Sequence, residues 1–199
     1  MKSSLIETIK IKDGIFFNLD LHEKRLNQAR IELLKCKEPI LLEESLKQLT
    51  IPTNDLYKCR LSYAQKIDQI ELEPYTIRAI HSFKLIHNNE IQYQYKYKNR
   101  STLKALFQQR GSADDIIIVK NSLLTDSYYA NLVFDDGKHL YTPRLPLLKG
   151  TKRAQYIQEQ RIIEQDISPA DLKNFECFYM INAMIDLGEM EFDVNNIYT

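Results

Sequence analysis

Five places in the chain hold groups suited to covalent or charge-stabilised chemistry. Lys96 offers a primary amine in the run Lys96-Tyr97-Lys98-Asn99-Arg100. Such an amine becomes nucleophilic where cationic or apolar surroundings lower its pKa. Asp126, in Thr125-Asp126-Ser127, offers a carboxylate. Arg25 offers a planar fork of N–H donors that matches a phosphate. Gly150-Thr151-Lys152 opens an expected helix, and backbone N–H groups at a helix start bind phosphate. Asn182 offers an amide near the end of an expected strand. Each also has a plainer account. Lys96 beside Lys98 reads as solvated charge, Asp126 as a turn aspartate, and Arg25 as an exposed helix arginine. Residue types alone leave both accounts open.

Composition narrows the setting. A length of 199 residues suits one large domain or two small lobes sharing a site. Hydrophobic residues make up 44% and charged residues 27%, which is ordinary for a soluble globular chain and enough for a core. Lys+Arg and Asp+Glu both number 27, so the net charge is zero. Nucleic-acid or anionic-membrane partners call for a basic excess and are not expected. No stretch approaches the ~18 apolar residues of a spanning helix, and the run from Met1 to Glu7 has no apolar leader core. Cys36, Cys59 and Cys177 are odd in number and far apart, which suits a reducing cytoplasm better than a disulfide framework. His22, His81, His87 and His139 are scattered without a zinc spacing, so no metal is expected.

The elements that must position these groups can be read from turns and periodicity. Residues 5–12 alternate as a strand, Asp13-Gly14 is a hairpin turn, and Ile15 to Leu19 returns. Asp20 reads as a helix N-cap with Glu23 as capping-box partner, and Leu26, Ala29 and Leu33 follow at helical spacing. A second helix is expected over 41–49. Antiparallel strands are expected over 57–63, 70–74 and 76–85, followed by a polar connection over 86–95; Tyr93, Tyr95 and Tyr97 alternate as on a strand. Beyond it come a helix over 101–110 ended by Gly111 and a buried strand over 115–120. Further strands are expected over 123–127, 131–134 and 140–142. A helix over 152–164, a short helix from Ser168 and a final strand over 177–182 complete the expectation. Short strands with helices outside suggest a compact, barrel-like α/β lobe.

Six segments, taken in order, resemble one family. Ile6-Glu7-Thr8-Ile9-Lys10 with Asp13-Gly14 is similar to its F-E-T-I/L-R … D-G hairpin, and His22 to Leu26 to its H-x-x-R-L helix. Lys96-Tyr97-Lys98-Asn99-Arg100 resembles K-x-x-N-R, and Thr125 to Phe134 resembles [ST]-E-x-x-x-x-N-[LI]-F. Tyr141-Thr142-Pro143 with Leu147 to Arg153 is similar to TP … L-x-G-[IT]-x-R. Phe178 to Met184 falls where the family has its last active-site strand. The family is the class IV aminotransferases, which holds branched-chain and D-amino-acid aminotransferases and aminodeoxychorismate lyase. Single motifs are weak, but six in order span nearly the whole chain.

The resemblance implies a two-lobed α+β fold of the D-amino-acid-aminotransferase type (fold type IV). Its small N-terminal α+β lobe would cover 1–88, and its C-terminal barrel-like α/β lobe, carrying the cofactor lysine, 89–199. It implies pyridoxal 5′-phosphate, with Lys96 as the catalytic amine that holds it and shuttles the substrate α-proton. Lys96 is preferred over Lys98 because only Lys96 leaves two residues before Asn99-Arg100. By the same resemblance Asp126 keeps the pyridine nitrogen protonated, Arg25, Thr151 and Lys152 hold the phosphate, and Asn182 adds an amide. Asn99 and Asn131 read as turn-holding neighbours. Asp126 stands where the family has Glu. Two family features that bear on the substrate are missing: the Y-G-D-G segment before the first motif, and glycines at Tyr63-Ala64-Gln65-Lys66. The reaction implied is either cleavage of 4-amino-4-deoxychorismate to 4-aminobenzoate and pyruvate, in folate biosynthesis, or amino transfer from an amino acid to a 2-oxo acid. K-x-x-N-R and Ile181-Asn182-Ala183-Met184 lean toward the lyase; a non-catalytic remnant of the fold is the third alternative. A small-molecule substrate and a homodimer follow from the resemblance, while the cytoplasmic location is expected from the cysteines.

Overall fold

A computed structural model describes residues 4–198. The expectation of no leader core rests partly on Met1 to Ser3, outside the described residues. The chain divides into two compact units, Met1–Ile77 with Tyr95–Asn99, and Arg78–Gln94 with Arg100–Thr199. The division falls before the expected 88/89 boundary, and the segment carrying Lys96 belongs to the first unit, not the second.

The first unit is a four-stranded antiparallel sheet in the order β2-β1-β3-β4, with two helices. Its elements are β1 (Leu5–Lys12), β2 (Ile15–Phe16), α1 (Leu19–Leu34), α2 (Leu42–Leu46), β3 (Leu56–Tyr63) and β4 (Ile67–Pro74). Asp13 and Gly14 both have positive φ, 52° and 76°, the geometry that turns a two-residue hairpin without splaying it. Alternation along β1 and β3 sends Leu5, Ile9, Ile11, Cys59, Leu61 and Tyr63 to one face. Leu26 and Ala29 of α1 and Leu42 and Leu46 of α2 close over that face as a core. Tyr95 and Tyr97 pack against the same core rather than alternating along a strand.

Local expectations need correction at α1 and α2. The N-cap of α1 is Asn18 in the left-handed region, not Asp20, and no side chain caps it. Glu23 does not turn back to Asp20; its carboxylate accepts the Leu42 amide at 2.8 Å and so anchors the start of α2. That helix is five residues long, shorter than expected.

The second unit is a nine-stranded mixed sheet whose main path runs β10-β9-β8-β7-β6-β5-β13, with β11 on β8 and β12 on β11. These strands are β5 (Phe83–His87), β6 (Asp115–Lys120), β7 (Leu123–Ser127), β8 (Asn131–Asp135), β9 (Leu140–Pro143), β10 (Ile163–Gln165), β11 (Cys177–Ile181), β12 (Glu191–Asp193) and β13 (Ile197–Tyr198). Helix α3 (Ser101–Phe107) makes the crossover that the parallel pair β5 and β6 requires. Phe83, Phe178 and Phe192 meet edge-on or tilted at 4.8–5.2 Å between centroids and fill the space behind β5 and β11. Residues 76–82 are not a strand; only Phe83–His87 is, in this sheet. Helix α4 (Thr151–Gln158) stops well before 164, because Gln160 takes a φ of 56° and Ile163–Gln165 pairs in parallel with β9. Strand β11 is not the last, since β12 and β13 follow it.

Candidate active site

In the first unit, Glu7 sits on the core face of β1 between Leu5 and Ile9 and is fully buried. A carboxylate there costs free energy unless it is paired. Helix α1 supplies the partners from one face: Arg25 donates Nε to Oε1 at 2.9 Å and Nη2 to Oε2 at 2.5 Å, and His22 Nδ1 lies 2.6 Å from Oε2. Burial pushes Glu7 up, but the Arg25 charge and the His22 hydrogen bond outweigh it and hold the carboxyl down at about 2. His22 is held below its ordinary value, first by burial, with the charges of Arg25 and Lys96 adding to this against the pull of Glu7. An ionised Glu7 and a neutral His22 place the shared proton on Nδ1.

Lys96 stands beside this cluster. The Ile6 amide donates to the Lys96 carbonyl and the Lys98 amide to the Ser4 carbonyl, both at 2.9 Å, while Tyr97 bridges Leu5. The segment is thereby fixed along the start of β1, and Lys96 is close enough for its charge to act on His22. The structure thus brings Arg25 and Lys96 into one neighbourhood.

In the second unit, Asp126 lies on β7 opposite Asn131, the first residue of β8. Asn131 Nδ2 donates to Asp126 Oδ1 at 2.8 Å and to the Leu148 carbonyl at 2.9 Å. The Leu148 amide donates to Asp126 Oδ2 at 2.9 Å. Burial pushes Asp126 up to about 6, while these two donors and the Arg153 charge work against the rise. Two residues past Leu148, Gly150 begins α4, whose first turn has no side-chain cap. A Cβ on Gly150 would lie only 2.0 Å from Asn131 Oδ1, so glycine is required by the close approach rather than by its φ of −69°. Asp126 and the Thr151–Lys152 helix start therefore belong to one packed cluster.

The remaining expected residues have local duties as well. The Lys152 ammonium is buried against Asp186 at 2.5 Å and lies 5.6 Å from the Tyr156 ring centroid. Asn182 accepts the amides of Met184 at 2.8 Å and Ile185 at 3.2 Å, which closes its own turn. Arg100, at the N-cap of α3, donates to the Tyr128 carbonyl and lies 4.3 Å over the Tyr128 ring, which stacks on Phe107. It ties α3 to the loop that follows Asp126. Sequence reading assigned no duty to Glu7 or His22, although a carboxylate on the apolar face of β1 and a histidine one helical turn before Arg25 signalled a buried pair.

Comparison with known proteins shows the family and the fold. Residues 4–189 match the family described as amino-transferase class IV. A protein of Haemophilus influenzae, itself uncharacterized, is 38% identical over 182 residues, covering 90% of this chain and 97% of its own. The crystal structure of a candidate 4-amino-4-deoxychorismate lyase from Haemophilus somnus 129PT superposes with a TM-score of 0.87 at 29% identity, covering 94% of this chain and 99% of that one. A pyridoxal-phosphate-bound hypothetical aminotransferase from Mycobacterium tuberculosis superposes with a TM-score of 0.76 over 98% of this chain and 81% of its own. At 18% identity that last likeness concerns the fold. With the family model matched over residues 4–189, the chain belongs to the class IV aminotransferases, a family of pyridoxal-phosphate-dependent enzymes.

Proposed function

We propose that this chain is a pyridoxal-phosphate enzyme cleaving 4-amino-4-deoxychorismate to 4-aminobenzoate and pyruvate. The observation that carries the cofactor reading is the buried Asp126 carboxylate, oriented by Asn131 and the Leu148 amide beside the uncapped start of α4. An oriented acid next to a turn of backbone donors fits a basic aromatic nitrogen and a phosphate. When bound, the cofactor supplies a carbonyl for the substrate amine and a ring that draws electron density from the α-carbon.

The chain's own residues do the rest. Lys96 would hold the cofactor through its amine and, when free, would take the proton from the carbon bearing the substrate amine; that carbon becomes part of the aromatic ring as the C–O bond to the enolpyruvyl group breaks, so the proton ends on the methyl carbon of pyruvate. Asp126, ionised above about pH 6, keeps a proton on the ring nitrogen. Arg25, already paired along one two-nitrogen edge with Glu7, is the phosphate donor of the first unit. Thr151 and Lys152 contribute through the helix start, the Lys152 ammonium being paired with Asp186. Asn182 holds the last turn and adds its amide from there.

The lyase is favoured over amino transfer by the likeness to the candidate lyase, at 29% identity over nearly the whole of both chains. Purified protein with pyridoxal phosphate should release 4-aminobenzoate and pyruvate in equal amounts from 4-amino-4-deoxychorismate. Amino transfer from an amino acid to a 2-oxo acid without 4-aminobenzoate release would instead establish the aminotransferase reading. The same experiment run on a homogeneous preparation of known mass in solution tests the expected homodimer.

A further inference from the structure

We infer that Asn131 is a positioning residue that joins the ring-nitrogen acid to the phosphate-binding helix start, and that Gly150 exists to let it do so. The inference rests on the cofactor reading above. Three contacts carry it. Asn131 Nδ2 is shared between the Asp126 carboxylate at 2.8 Å and the Leu148 carbonyl at 2.9 Å. Its Oδ1 occupies the space a Cβ on Gly150 would need. One side chain therefore touches β7, the loop before α4 and the N-cap residue of α4.

Asn131 is 6% exposed, and so is Asp126, so neither can be served by bulk water. If Asn131 were removed, Asp126 Oδ1 and the Leu148 carbonyl would both lose the donor shown here. The groups left facing the carboxylate would be the Leu148 and Leu147 amides and the Arg153 charge. An acid with one donor fewer in a buried place ionises at higher pH. It would then pair less well with a protonated ring nitrogen at neutral pH. Because the same amide packs on Gly150, the disturbance reaches the helix start as well. An alanine at position 150 acts from the other side by pushing the Asn131 amide off its partners, with no backbone strain of its own.

The test is a double-mutant cycle of Asn131→Ala and Gly150→Ala, read in two ways. Pyridoxal-phosphate affinity is measured by absorbance titration, and the Asp126 ionisation midpoint by carbon-13 carboxylate shifts in cofactor-free protein. A lost hydrogen bond to a charged group predicts affinity weaker by about 10- to 100-fold in Asn131→Ala, with the midpoint raised above its wild-type position. Gly150→Ala should do likewise, and the double variant should be no worse than Asn131→Ala alone. Additive losses, or an unchanged midpoint in either variant, would overturn the inference, since a purely structural role lowers stability without moving the ionisation of Asp126. If Asn131→Ala does not fold, Gly150→Ala alone decides on the same two readings. Wild-type protein that binds no cofactor would defeat the functional reading, while the midpoint still judges Asn131.

Discussion

Glu7 concentrates the electrostatics of the first unit in one side chain. It is fully buried, takes three hydrogen-bonding contacts from His22 and Arg25, and its carboxyl is held at about 2, below the ordinary 4.5. A carboxyl lowered on folding stabilises the protein above its unfolded value, and that stability is lost as pH falls through the folded value. The Glu7 contribution is thus present at neutral pH and disappears between about 4.5 and about 2. Glu7→Gln should destabilise at pH 7 and have little effect near pH 2, as measured by urea unfolding across that range; a penalty independent of pH would contradict the ion-pair account. Asp126 has the opposite sign. Its folded value of about 6 lies above 3.8, so burial of its charge costs stability as pH rises through that window. A buried acid tolerated at such cost is what a cofactor site would retain. Motif spacing singled out Asp126 and Arg25 as candidates. The duties of Glu7, Asn131 and Gly150 were not legible, because they depend on which face β1 buries and on how closely β8 approaches α4.

Secondary structure was most legible where turn chemistry and alternation agree. Asp13-Gly14 between two apolar runs yields the β1–β2 hairpin, and the apolar run Ile116 to Val119 yields a strand buried on both faces. Helix ends were less legible. The segment after Gln158 still holds helix-compatible residues, and it is the left-handed Gln160 and the parallel pairing of β10 with β9 that stop α4. Strand Phe83–His87 joined the wrong lobe in sequence reading because parallel partners distant in the chain leave no local mark. The α1 start separates the two accounts by experiment. Glu23 serves the Leu42 amide, so Glu23→Ala should cost about 1 kcal/mol and speed hydrogen exchange at Leu42. Asp20→Ala should stay within about 0.5 kcal/mol, there being no capping bond from it at the α1 start. Equal effects of both, with Leu42 exchange unchanged, would restore the capping box.

For the molecule as a whole, the family and its fold were legible because the motifs keep their order over nearly the full chain, and the same span aligns with the candidate lyase. Substrate choice was not, since the motifs that match are those the resemblance gives to the cofactor. Ligand linkage offers a test that needs no substrate: free pyridoxal phosphate at one hundred times its Kd should stabilise the folded chain by about 2.7 kcal/mol, raising the thermal midpoint. Lys96→Ala should lose much of that gain, and an equal gain in both proteins would mean that Lys96 does not hold the cofactor. The most direct measurement is to incubate the protein with pyridoxal phosphate, reduce it with borohydride and map the modified peptide by mass spectrometry. The account predicts a pyridoxyl group on Lys96; a label on Lys98 or another lysine, with Lys96 unmodified, would contradict it.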